Sequence, residues 1–166
     1  MITPLQVRKM VAAAQEPSRE LDALIAFATV PIPFAKRDDM WGTRQFPTRP
    51  LVFAMKEPSK EAHKQRFLRD GEEFIEIPWQ GKFLHFVPRV VPRYTSNLTD
   101  AAGLCEILFP GVDWGVVSTG TAWIEIAGQR LVEVQNKILP LALTGAILNH
   151  PFFEDISSHE RAVYSG

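Results

Sequence analysis

The sequence is poor in cysteine and in long apolar stretches. Cys105 is its one cysteine among 166 residues, so no disulfide can form within the chain. A membrane-spanning helix needs about 20 apolar residues, whereas the longest apolar stretch, 138–148, is about half that length and predicts a buried helix. The N-terminal sequence MITPLQVRKM contains no long apolar segment, so we expect no secretory signal. These features predict a soluble cytoplasmic protein with no membrane partner.

The sequence also lacks a dominant charge and the patterns that hold cofactors. The formal net charge is −1, so the whole molecule has no strong attraction for nucleic acid or anionic lipid. Its glycines do not have the spacing of a phosphate-binding loop. The histidines are too far apart in sequence for the usual spacing of zinc ligands: His63, His85, His150 and His159. We therefore predict no cofactor and no metal.

The residues that could carry catalysis favour a structural role. Cys105 follows Leu104 in a predicted helix, a position typical of a small buried hydrophobe. A nucleophilic thiolate would need a nearby base and a lowered pKa, and His85 is the candidate base. Glu73 and Glu76 would point to opposite faces of a regular strand, which separates their carboxylates. We predict that the protein is not an enzyme.

Apolar periodicity and capping signals predict an α+β protein. Helices are expected at 4–15, 18–28, 97–108 and 140–149, with caps at Ser18 and at Asn97 or Thr99, and Pro140 in the first turn of the last helix. Strands are expected at 51–55, 73–77, 82–87, 114–117, 121–126 and 131–134. The second and third of these strands would form a hairpin around Gln80-Gly81. The pattern predicts one domain over 1–166, with a mostly antiparallel sheet sandwiched by helices.

One buried core is expected from the apolar faces of these elements. Its predicted members are Leu21, Leu24, Ile25, Leu104, Ile107, Leu108, Trp123, Ile124, Ile126, Leu143 and Ile147.

A long proline-rich excursion, 31–82, interrupts this pattern between the helix at 18–28 and the sheet. Prolines punctuate it and no apolar period lasts, apart from a short polar helix expected from Lys60 to Arg69. Within it, 36–70 holds nine Lys/Arg and five Asp/Glu, whereas the rest of the chain holds nine and fourteen, so a basic segment accompanies an acidic body. Trp41 and Phe46 stand among its arginines. Basic and aromatic side chains together favour contact with a partner, but a solvated segment, or one folded back on the acidic body, is the commoner alternative.

Short motifs outside the excursion resemble the phage ABA sandwich domain family. They are Arg19-Glu20-Leu21-Asp22-Ala23, Tyr94-Thr95-Ser96, Asp100-Ala101-Ala102, Trp114 and Pro140-Leu141-Ala142-Leu143. The resemblance covers roughly 17–30 and 83–149, and 31–82 departs from it. It implies a helix–sheet–helix sandwich and a phage origin. It implies no activity and no catalytic residues.

We therefore expect a phage-encoded, non-enzymatic protein that binds a host macromolecule, such as a component of a bacterial defence system. The expected partner is a host protein or a protein–nucleic-acid complex, and a homo-oligomer stays open. A virion or assembly component and a small-molecule binder or enzyme are the alternatives. The candidate partner-binding residues are Arg37, Trp41, Arg44, Phe46, Arg49, Lys60, Lys64 and Arg66.

Overall fold

Four helices and seven strands alternate along the chain in a computed structural model that describes residues 3–29, 41–45, 50–54, 68–79 and 82–153. The helices are α1 (Pro4–Ala13), α2 (Arg19–Thr29), α3 (Leu98–Leu108) and α4 (Leu139–Leu148). The strands are β1 (Trp41–Gln45), β2 (Pro50–Ala54), β3 (Ile75–Trp79), β4 (Lys82–Phe86), β5 (Trp114–Val117), β6 (Thr121–Ile126) and β7 (Gln129–Gln135). No helix in these ranges is both long and apolar enough to cross a membrane.

The strands are antiparallel throughout, which confirms the α+β class, and they are divided between two sheets. One sheet has the order β1-β2-β4-β3 and the other the order β5-β6-β7. The predicted hairpin is present as β3 and β4, although its turn at Gln80-Gly81 lies outside the described residues. Most of the predicted polar helix, 60–69, also lies outside them.

The predicted caps begin the helices as expected. The Ser18 hydroxyl accepts the Leu21 amide at 3.2 Å at the start of α2, and the Asn97 side chain accepts the Asp100 amide at 3.0 Å at the start of α3. Pro140 lies in the first turn of α4, where no intrahelical N–H bond is required. Local sequence therefore sets where these three helices begin.

The core is centred on α4, in which every residue from Leu141 to Leu148 is buried. This helix contacts α1, α3 and all three strands of the β5-β6-β7 sheet, while α2 contacts α1 and β3. Helices thus connect the inner faces of the two sheets. Seven of the predicted core residues are buried, and three others pack against them partly buried.

Trp123 is the exception, because it is half-buried and lies outside the core cluster. Its neighbours Ala122 and Ile124 are fully buried, so alternation along β6 places the indole on the opposite face of the sheet. There it covers Gly115 on β5: a Cβ added at that glycine would come within 2.1 Å of the indole Cζ2 atom. The prediction that Trp123 is a core residue was therefore wrong. The alternation along the strand was predicted correctly, but Trp123 was assigned to the inner face and lies on the outer one.

Candidate partner-binding surface

Two of the eight predicted partner-binding residues, Trp41 and Arg44, lie in β1. In the register of the sheet, Trp41 is opposite Ala54 and Arg44 is opposite Leu51. The other six fall outside the described residues: Arg37, Phe46, Arg49, Lys60, Lys64 and Arg66. The described backbone therefore places two of the eight residues on one strand, which the sequence pattern did not predict.

β1 is the end strand of the four-stranded sheet. Among the strands that the structure describes, it pairs with β2 alone, over all five of its residues. In an antiparallel strand, backbone N–H and C=O groups of successive residues point alternately to the two sides. β1 consequently directs half of its backbone groups towards β2 and half towards the outer edge of the sheet, where another strand could pair.

The opposite end strand of this sheet, β3, is less suited to pairing. It contains Pro78, which has no N–H and is tolerated in edge strands where that donor would face away from the sheet. It also carries the exposed carboxylate of Glu76. Proline and charge are the usual devices that block edge pairing. β1 contains no proline, so the two edges differ in their ability to accept a strand.

A narrow joint connects β1 and β2 to the rest of the sheet. β2 and β4 are paired at only two positions, Phe53 with Phe86 and Ala54 with His85. The His85 side chain is buried, its Nε2 atom lies 3.5 Å from Glu76 Oε1, and its Nδ1 atom has no hydrogen-bond partner in the described structure. The Phe74 ring lies edge-on to the imidazole, with 6.0 Å between centroids. His85 therefore packs at this joint, between the two strand pairs of the sheet.

The motifs that carry the phage resemblance meet in a buried polar network. Asp22 Oδ1 accepts the Thr95 amide at 2.7 Å and the Thr95 hydroxyl at 2.8 Å, while Oδ2 accepts Arg19 Nη1 at 2.8 Å. The same guanidinium donates to the Pro88 and Val91 carbonyls at 2.7 and 3.0 Å. The network ties the start of α2 to the segment between β4 and α3, so these motifs contribute to the fold.

The remaining motif residues extend the same arrangement to α4. Tyr94 is buried, and its carbonyl accepts the buried Thr144 hydroxyl at 3.0 Å. The Asp100 carboxylate accepts the Arg93 amide at 2.8 Å, which holds the segment against the start of α3.

An aromatic cluster closes the C-terminal ends of α3 and α4. The Phe109 and His150 rings are stacked 3.9 Å apart, and His150 Nδ1 accepts the Phe152 amide at 3.1 Å. Desolvation lowers the pKa of His150, which favours the neutral ring that can accept this bond. The aromatic pair following Asn149 was the available sequence signal.

Cys105 is fully buried in α3. Burial, aided by the nearby charge of Glu106, raises the pKa of its thiol to about 11, so the reactive thiolate is disfavoured at neutral pH. The environment is that of a packing residue.

We expect Cys105→Ser to lower stability without loss of partner binding. A hydroxyl buried without a compensating bond costs about 1–3 kcal/mol in mutational data. Urea unfolding measures the stability, and partner capture measures the function. Loss of the biological effect with native stability would contradict the non-enzymatic interpretation.

No group of three or more His, Cys, Asp or Glu in the described ranges is placed to hold a metal ion. No protein-family model, curated protein or solved structure matches this chain. The resemblance to phage ABA sandwich proteins accordingly stays a prediction.

Proposed function

We propose that this chain is a non-enzymatic binding protein that attaches to a host macromolecule through β1 and the basic segment 36–70. The observation that carries the proposal is the position of β1: the strand that contains Trp41 and Arg44 ends its sheet, with β2 as its one neighbour among the described strands. Tryptophan and arginine are the residues that most often dominate binding energy at interfaces.

Charge supports the same surface. The segment 36–70 has an excess of four positive charges, whereas the rest of the chain has an excess of five negative charges. A basic segment of this kind attracts an acidic partner even though the net charge of the whole molecule is close to zero. A phage origin and a target in a bacterial defence system belong to the same proposal, and their support is the motif resemblance.

Reversing three arginines of this segment should abolish partner binding. The variant Arg37→Glu/Arg44→Glu/Arg49→Glu replaces three positive charges by three negative ones, and we expect it to lose the partner that the native chain captures from a bacterial lysate. We expect its melting temperature to stay close to the native value, which is the behaviour of solvent-facing substitutions, because these change stability by only about ±0.5 kcal/mol. Native binding should also weaken as salt is added, because screening weakens exposed charge contacts.

A matched control reverses basic residues elsewhere. Lys9→Glu/Arg93→Glu/Lys137→Glu reverses three exposed charges outside the proposed surface and should leave capture unchanged. Mass spectrometry identifies the captured molecule, and light scattering separates a binder from a self-assembling virion component. A folded triple variant that captures the same partner at the same salt would exclude this segment as the interface.

A further inference from the structure

We infer that β1 takes its partner by strand addition: an extended, acidic segment of a partner protein pairs with the outer edge of β1 and continues the four-stranded sheet. The inference rests on the proposed function and specifies the kind of partner and its mode of binding. In strand addition, main-chain hydrogen bonds supply affinity, and alternate side chains supply specificity.

The backbone of β1 is suited to this pairing. All five residues from Trp41 to Gln45 are in register with β2, so the strand is extended along its full length. None of the five is proline, so each has an N–H group. Alternation directs the donors and acceptors of every second residue away from β2. A partner strand of about five residues, spanning roughly 17 Å, would match its length.

The charge distribution favours β1 over β5 and β7, the end strands of the second sheet. It also favours an acidic partner over a basic one. The segment 98–153, which contains β5 and β7, holds two Lys/Arg and five Asp/Glu. An acidic strand would therefore be repelled there and attracted to the segment 36–70, which includes β1.

The same charge argues against a second copy of this chain as the occupant. Pairing β1 with β1 would bring the Arg44 residues of two copies into one pair of strands, with no acidic residue in either strand. Like charges facing each other across strands are destabilising. An acidic polypeptide would pair with the backbone groups of β1 that do not face β2, and it would complement the cation of Arg44.

The first test uses a fluorescein-labelled peptide of about six alternating Glu and Val residues, with blocked ends, whose length matches the strand. We expect it to bind the native full chain at low salt, and the matched Lys/Val peptide to bind roughly tenfold more weakly or not at all. On binding, amide exchange should slow at alternate residues of β1, those whose N–H groups do not already bond to β2. This readout needs no protein variant.

Two adjacent proline variants provide an internal control. In Gly42→Pro and Thr43→Pro, one substitution removes an N–H directed at β2 and the other an N–H directed outward. The outward variant should stay folded and bind the Glu/Val peptide roughly tenfold more weakly. The inward variant should lose the protection of the β1–β2 pairing even without peptide.

Several results would overturn strand addition. The Glu/Val peptide would fail to bind, would bind without alternating protection in β1, or would bind both folded proline variants equally. Dimers in light scattering that the outward proline variant no longer forms would point to a second copy as the occupant. Tighter binding of single-stranded DNA that neither proline affects would point to a nucleic acid. If the triple charge variant loses its partner but the alternating protection is absent, strand addition fails and the proposed function stands. If the triple charge variant keeps its partner, the proposed function fails, and strand addition, which rests on it, fails with it.

Discussion

Asp22→Ala should be among the most destabilising substitutions in the chain, with an expected loss of up to about 3 kcal/mol, the lower end of the range for a buried ion pair, because the Arg19 side chain is 26% exposed. The Asp22 side chain is 1% exposed and accepts three hydrogen bonds, two from Thr95 and one from Arg19. Alanine would leave the buried Thr95 amide without its acceptor and the guanidinium without its carboxylate. Urea unfolding measures the change in the free energy of unfolding.

Two further variants test whether the loss comes from this network. Glu16→Ala removes an exposed carboxylate close to the start of α2 and should change stability by no more than about 0.5 kcal/mol. Thr95→Val removes the hydroxyl but keeps the branched shape and the amide, so it should cost less than Asp22→Ala. A double-mutant cycle between Asp22 and Thr95 should give a coupling of about 0.5–3 kcal/mol. Additive effects would contradict the network.

The network also explains which part of the fold could be predicted. Ser18 and Asn97 each accept a hydrogen bond from an amide three residues further along the chain. Local sequence was therefore sufficient to predict where α2 and α3 begin. The contact of Asp22 with Thr95 joins residues 73 positions apart in sequence. No local pattern specifies such a contact, although the motifs that carry it were visible.

β1 shows why the candidate surface was only partly predictable. Its sequence, WGTRQ, has no run of β-branched residues and includes a glycine, so it does not resemble a strand. The strand is defined by its pairing with β2, whose apolar sequence was predicted to be extended. The basic and aromatic composition identified the segment, but only the pairing shows that Trp41 and Arg44 lie at a sheet edge.

The division into two sheets was equally beyond local reasoning. Period-two patterns predict that a strand exists, but they do not say which strands are neighbours or which face is inside. Trp123 illustrates the second point, because Gly115 on the neighbouring strand makes room for its indole on the outer face. An aromatic residue that covers a cross-strand glycine stabilises a sheet without entering the core.

Leu104→Ala should be the most damaging truncation in α3, with an expected cost of about 2–5 kcal/mol because a buried leucine leaves a cavity. Leu104 is fully buried, and α3 packs against the central helix α4. Ile107, which is only partly buried on the same helix, should cost less when truncated to alanine, and the exposed Glu106→Ala should cost least. Chemical denaturation measures all three.

Because Leu104 lies in α3 and β1 in the four-stranded sheet, the Leu104→Ala variant should still bind its partner while it is folded. An unchanged midpoint for Leu104→Ala would contradict the packing of α3 against α4, and lost binding by the folded variant would move the interface away from β1.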